Sequence, residues 1–185
     1  YTLLLADAPH TINALVYAKP PYDAIKDFAP LNLLATSPQA LLAHPTFSVS
    51  TFKELLAMPR AQTEKLAMGS SGLASGPHML YEWLRIKTGL VLNHVPYKGG
   101  GPSLSDAVAG QIQLVMNAVP ASMPFIKSNR LKPLAISSAE RHPLLPAAGQ
   151  TAGQLVAPAG EAGKLEHPLR ARPAVRLRHL VDARE

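Results

Sequence analysis

Short apolar runs alternate with polar turns along this chain, and the period of each run sets the element it predicts. Tyr1-Thr2-Leu3-Leu4-Leu5 reads as a buried strand already under way at the first residue. Asp7 to Asn13 is a polar turn, with Thr11 or Asn13 placed to cap a brief helix around Ala14 to Tyr17. Lys19-Pro20-Pro21-Tyr22-Asp23 is extended, because a residue before proline is pushed out of the helical region. Ile25 to Phe28 has room for one turn. Leu31 to Ala43 is the next apolar run. Ser37-Pro38 interrupts it, so it predicts two strands or one bulged strand, ended by His44-Pro45.

Thr51 and Glu54 have capping-box spacing, and Phe52, Leu55 and Leu56 share one helical face. Leu66 to Met68 predicts a strand that runs into the loop Gly69-Ser70-Ser71-Gly72-Leu73-Ala74-Ser75-Gly76. Pro77 then suits the first turn of a helix carrying Met79, Leu80, Trp83, Leu84 and Ile86, with Gly89 at its end. Val91 to Val95 predicts a strand leading into Pro96-Tyr97-Lys98-Gly99-Gly100-Gly101-Pro102. A helix over Ser103 to Ala109, stopped by Gly110, and a strand over Ile112 to Met116 follow. Pro124 to Ser128 predicts a short helix ending at Asn129, and Leu131 to Ser137 a last strand. Strand–helix alternation of this kind predicts an α/β fold with a largely parallel sheet. Ligands in such sheets bind at the carboxyl ends of the strands, where both Gly-rich loops lie.

Composition narrows the class. At 185 residues the chain fits one domain, or one and a fraction. Its apolar fraction of 47% suits a globular core, while its charged fraction of 16% is low against a typical ~25%. The formal charge is +6, but the basic residues are scattered and aromatics are only 5%, which argues against a nucleic-acid stripe. The absence of cysteine excludes disulfides, thiolate nucleophiles and Cys-based metal sites. No apolar run approaches the ~20 residues of a membrane-spanning helix, and no signal peptide is recognisable. A chain that opens mid-strand is expected to lack a preceding segment. Residues 147–185 turn rich in Ala, Gly, Pro and Arg, and Arg170, Arg172, Arg176 and Arg178 form a spaced basic run. That run reads as a nucleic-acid arm or as a disordered tail of the sort a shifted reading frame produces, and the composition favours the tail.

Each Gly-rich loop opens a helix, so each presents unpaired N–H groups and the positive end of a helix dipole, a setting for phosphate or carboxylate. Neither loop is a P-loop, since Lys98 precedes the glycines, and neither is a dinucleotide fingerprint. Gly69-Ser70-Ser71-Gly72 lacks the spacing of a nucleophile elbow. Ser70, Ser71 and Ser75 can donate to a carboxylate or cap the following helix. His78 stands where the helix dipole disfavours imidazolium, and is read as a packing residue or a ligand contact. His44, His94 and His142 are isolated, and His10 shares the first turn with Asn13. No histidine pair has metal-ligand spacing and no carboxylate pair falls in the loops. A catalytic set, a metal and a cofactor are therefore not expected; the loops read as built to bind.

The same residues carry a family resemblance. The segments are His10-Thr11-Ile12-Asn13, Pro21-Tyr22-Asp23 with Lys26-Asp27-Phe28, His44-Pro45, Gly69-Ser70-Ser71-Gly72 through His78-Met79, and above all Val95-Pro96-Tyr97-Lys98-Gly99 followed by Gly110-Gln111-Ile112. Pro120, Pro124, Leu131-Lys132-Pro133-Leu134-Ala135 and Ser138-Ala139-Glu140-Arg141 complete them. Over roughly residues 1–146 the chain resembles the Bug/TctC family, the extracytoplasmic solute-binding proteins of tripartite tricarboxylate transporters. The resemblance implies a type II periplasmic-binding-protein architecture with two α/β domains closing on a small carboxylate or amino acid. It also implies a periplasmic location, delivery to membrane permease subunits, no nucleic acid, and a monomer without catalysis. It divides the chain into 1–43 (first-domain fragment and crossover strand), 44–128 (second, ligand-binding domain, largely complete), 129–146 (return crossover strand) and 147–185 (divergent tail).

On this reading the ligand-binding residues are Ser70, Ser71, Gly72, Ser75, His78, Tyr97, Gly99, Gly100 and Asn117. Family members commonly carry Asp-Asn where this chain has Asn117-Ala118, a change that favours more acidic ligands. Family members also begin with a Gly-rich loop that would precede Tyr1, so binding is expected to be weak or lost. The competing readings are an α/β enzyme acting on a phosphorylated or acyl substrate, and a gene fragment without function.

Overall fold

A computed structural model describes residues 2–138. The elements run α1 (Ala8–Val16), β1 (Gln39–Ala43), α2 (Phe52–Ala57), α3 (Arg60–Thr63), β2 (Ala67–Ser70), α4 (Gly76–Thr88), β3 (Asn93–Pro96), α5 (Gly100–Val108), β4 (Leu114–Ala118), α6 (Val119–Lys127) and β5 (Lys132–Ile136). The strands form one sheet in the order β3-β2-β4-β1-β5. The expected tail, 147–185, and the end of the expected return segment lie outside the described residues.

The sheet is mixed, which corrects the largely parallel expectation. β2 pairs in parallel with β3 and β4, but β1 runs antiparallel to both β4 and β5. The helical crossovers do what the alternation predicts, because a strand–helix–strand unit returns its second strand parallel to the first. β1 is the exception. It enters from the segment before Gln39 and inserts between β4 and β5, a long-range choice that local periodicity does not encode. The strands expected to cross between domains, at the ends of 1–43 and within 129–146, thus join the sheet of the intervening segment.

Both faces of the sheet are covered, so β1 and β4 read as continuous apolar runs. On one face Leu41, Met68, Leu114 and Met116 pack with Phe52 and Leu55 of α2 and Tyr81 and Leu84 of α4. On the other, Ala40, Leu42 and Val115 pack with Leu104 and Ala107 of α5 and Val119 of α6. The core face of α4 is set by Tyr81 rather than by the aromatic expected there. The Tyr81 hydroxyl donates to the Leu92 carbonyl and accepts from the Leu92 N–H, both at 2.9 Å, whereas Trp83 is 39% exposed and Ile86 73%.

The first forty residues depart most from expectation. Thr2 to Leu5 lie outside the sheet with all three leucines exposed, and of the run from Leu31 only Gln39–Ala43 forms a strand. Asp7, not Thr11 or Asn13, caps the first helix, accepting from the Ala8 N–H at 2.7 Å, so the helix begins earlier. His10, Tyr22 and Phe28 pack their rings together, with centroid separations of 4.5 to 5.5 Å.

Candidate functional site

The carboxyl ends of β2, β3 and β4 share one edge of the sheet, because those strands run the same way. From that edge start α4, α5 and α6. Three helix N-termini with their unpaired N–H groups therefore face it, β2 lying between the other two strands.

The loops after β2 and β3 are stitched into one unit. The Tyr97 N–H donates to the Ser70 carbonyl at 3.0 Å and the Gly99 N–H to the Ser71 carbonyl at 3.1 Å. Within the first loop, buried Ser70 accepts from the Gly72 N–H at 3.2 Å and lies 2.7 Å from His94 Nε2. Ser75 donates to the Gly72 carbonyl at 2.6 Å and caps α4 by accepting from the His78 N–H at 3.4 Å. Gly72 holds φ 133°, and a Cβ there would lie 3.1 Å from the Tyr97 carbonyl oxygen, so the turn requires glycine. Ala74 adopts a left-handed φ of 56°, and its N–H donates to His78 Nδ1 at 3.1 Å. Ser71 differs: it is half-buried, and among the described residues its hydroxyl has no hydrogen-bond partner.

The second loop is shorter than expected. α5 starts at Gly100, not Ser103, so Gly100 and Gly101 form its first turn and Pro102 follows where a missing N–H costs nothing. Gly99, at φ 114°, precedes the helix, and no side chain caps it. The first-turn N–H groups of α5 are thereby open to an outside acceptor. Buried Asn117, at the end of β4, fixes this turn. It donates to the Gly100 carbonyl at 2.9 Å and accepts from the Ala118 N–H at 2.8 Å. Ser103 also donates to the Gly100 carbonyl, at 2.9 Å. Tyr97 donates to Asp106 Oδ2 at 2.7 Å, and burial, reinforced by the carboxylate, pushes its ionisation up to about 12.

Below the first loop, His78 and His94 stack with centroids 4.3 Å apart and planes within 8°. Burial, then the neighbouring His78, lowers the His94 pKa to about 4 against the pull of Glu82. Burial lowers that of His78 as well, with Glu82 opposing. Both rings are neutral at pH 7, so neither adds a positive charge to this edge.

All nine residues singled out in the sequence lie at this edge, but their groups are used differently. The hydroxyls of Ser70, Ser75 and Tyr97, the amide of Asn117 and Nδ1 of His78 are engaged within the protein. Ser71 and the first turn of α5, at Gly100 and Gly101, keep donors free, whereas the N–H of Gly99 is given to Ser71. Sequence reading missed Ala74, Ser103 and Asp106, and it took His94 as isolated. The signal for His94 is non-local: β2–β3 pairing sets Met68 opposite His94 and so brings it beneath the loop.

Comparison with known proteins decides the family. A model of the tripartite tricarboxylate transporter family receptor (TctC) matches residues 1–160. The chain belongs to that family. It is 31% identical to BugT of Bordetella pertussis over 149 residues, which cover 80% of this chain and 46% of BugT. Among solved structures it is similar to Rpa4515 of R. palustris with adipate (31% identity, TM-score 0.69, covering 86% of this chain and 51% of that one). It is also similar to MatC from Rhodopseudomonas palustris with bound malate (26% identity, TM-score 0.69, 75% and 47%). Solved relatives are described as periplasmic. The chain spans about half the length of the curated relatives it matches.

Proposed function

We propose that this TctC-family chain carries the second lobe of a periplasmic solute receptor, which captures a small carboxylated metabolite and presents it to the membrane subunits of a tripartite transporter. The observation that supports it most is the uncapped first turn of α5 beside the free hydroxyl of Ser71. A carboxylate has the two-oxygen geometry and charge to accept from both. Ser71, Gly100 and Gly101 meet the ligand, while Gly99, Gly72, Ser70, Ser75, His78, Tyr97 and Asn117 hold the shape of the loops. The lobe comprises 44–128 together with the strands at Gln39–Ala43 and Lys132–Ile136, and the receptor acts as a monomer. That similar solved proteins carry malate and adipate supports a dicarboxylate, of which this edge would hold one end.

Titrating the labelled chain with malate, adipate, citrate, glutamate and inorganic phosphate, followed by amide chemical shifts, tests this. Shifts confined to residues 71–76 and 99–103 with the carboxylates support the reading. Shifts with phosphate and none with any carboxylate would overturn it and favour an enzyme acting on a phosphorylated substrate.

A further inference from the structure

Two helices in this protein begin with the same reciprocal cap. At α2, Thr51 Oγ1 accepts from the Glu54 N–H at 3.2 Å, and the Glu54 carboxylate reaches back to the Ser50 N–H at 2.9 Å. At α4, Ser75 Oγ accepts from the His78 N–H, and His78 Nδ1 reaches back to the Ala74 N–H. The second cap is thus a capping box with histidine in the place of glutamate or glutamine. The substitution changes its chemistry. An imidazole accepts at Nδ1 only while that nitrogen carries no proton; imidazolium donates at both nitrogens and accepts at neither.

What hangs on that acceptor is the ligand loop. Ala74 is a non-glycine residue at φ 56°, a conformation that persists only where the surroundings impose it. Its N–H bond to His78 is the constraint that acts on Ala74 directly, beside the Ser75–Gly72, Ser70–Gly72 and Gly99–Ser71 bonds that hold the rest of the turn. Ser71, with the free hydroxyl, lies in the same five-residue turn from Ser71 to Ser75.

We propose that His78 is a proton-sensitive positioning residue, whose neutral Nδ1 holds Ala74 and so the shape of the Ser71–Ser75 turn, and whose protonation loosens that turn and weakens ligand capture. This rests on the binding reading above.

The groups facing His78 set when this happens. On its own helix, Glu82 Oε1 lies 3.9 Å from Nε2 and favours the proton, although Arg85 holds Glu82 at 2.7 Å and shares its charge. From β3, the His94 ring stacked on it, itself bonded to Ser70, opposes a second charge, and Tyr81 tilts against His94 at 5.9 Å. The helix dipole and burial also oppose the proton. Protonation therefore falls below the ordinary histidine range.

The test uses the full chain, wild type and His78→Gln, which restores a non-titrating capping-box acceptor, with His78→Phe keeping the ring and removing the acceptor. Amide exchange protection and the chemical shift of Ala74 are followed without ligand from pH 7.5 down through the titration of His78, read from its own ring shifts. Wild type should lose at least fivefold protection at Ala74 as His78 protonates. His78→Gln should hold its protection across the range, and His78→Phe should be unprotected at every pH. With malate as probe, the affinity of wild type relative to His78→Gln should fall at least threefold between pH 7.5 and a pH below the His78 titration; malate's own titration cancels in that ratio. Ala74 protection that is flat in wild type, or that falls equally in His78→Gln, overturns the proposal. So does a rise in the ratio, which would mean that the imidazolium attracts the anion. If no carboxylate binds, the binding reading fails separately, and Ala74 still decides the role of His78.

Discussion

Gly100→Ala puts a methyl group against buried Asn117. A Cβ at Gly100 would lie 2.8 Å from Asn117 Nδ2 and 2.9 Å from Oδ1, well inside contact distance. Asn117 has little freedom to yield. It is 5% exposed, its amide donates to the Gly100 carbonyl and its Oδ1 accepts from the Ala118 N–H. Overpacking of this kind costs about 1–3 kcal/mol, and a buried polar group left unpaired costs about 1–3 kcal/mol more if Asn117 is displaced. Replacing glycine by alanine in a helix returns roughly 0.5–1 kcal/mol. The net expectation is destabilisation by about 2 kcal/mol.

Gly101→Ala supplies the control, since it lies one residue further into the same helix and its Cβ would meet nothing within 4 Å. The helix preference of alanine over glycine is offset there by the clash of the new Cβ with the ring of Pro102, so this variant should lie within about 0.5 kcal/mol of wild type. Urea unfolding followed by far-UV circular dichroism, at a shared slope, should separate the two variants by about 2 kcal/mol. Adding Asn117→Ala to Gly100→Ala removes the clashing amide, so the double variant should be more stable than the two single effects sum to, by at least about 1 kcal/mol. Two glycine variants within about 0.5 kcal/mol of each other would refute the close approach of Gly100 and Asn117.

Three further outcomes follow from the same geometry. Tyr97→Phe removes the 2.7 Å bond to Asp106 and should cost about 1–2 kcal/mol in urea unfolding; in wild type, ultraviolet titration should find one tyrosine ionising near 12, lost in the variant. His94 is neutral in the folded chain down to about 4 but takes a proton near 6.5 when unfolded, so its contribution is complete above pH 6.5 and is lost as pH falls toward 4. The ceiling is about 3 kcal/mol, brought to about 1–2 kcal/mol by the partial exposure of the ring, and His94→Gln should show a shallower acid loss; equal slopes would exclude this origin. Thr51→Ala should lower stability by about 1 kcal/mol through the lost α2 cap, and no change in urea midpoint would show the cap to be worth nothing here.

Local chemistry was legible in the chain; long-range pairing was not. Thr51 and Glu54 form the expected cap, and Gly89 ends α4 in the left-handed conformation at φ 74°. Both follow from neighbours in sequence. The antiparallel insertion of β1 depends on partners in β4 and β5, far along the chain, and nothing in Ala40-Leu41-Leu42-Ala43 reports direction. The same limit explains the histidines. His78 and His94 look solitary in sequence, and only the parallel register of β2 and β3 under α4 stacks them. Tyr81 was overlooked for a different reason: helical periodicity ranks residues by hydrophobicity, and its place in the core is set by a hydroxyl that satisfies both backbone groups of Leu92.

The serines show most clearly how composition and role part. Three serines near a helix start suggest three donors to a ligand, yet Ser70 and Ser75 spend their hydroxyls within the loop. Had they been free, the turn from Ser71 to Ser75 would have to order on binding, at about 0.5–1.5 kcal/mol for each side chain immobilised. Committed internally, they hold Gly72 and Ala74 in positive φ before any ligand arrives. The donors left over are the Ser71 hydroxyl and backbone N–H groups at the start of α5, which Asn117 and Ser103 pin through the Gly100 carbonyl. Backbone donors recognise an anion's oxygens and charge but carry no side-chain identity. On the proposed reading, an edge built this way would take the carboxylate end common to many metabolites, and discrimination among them would fall to whatever surrounds the ligand's other end.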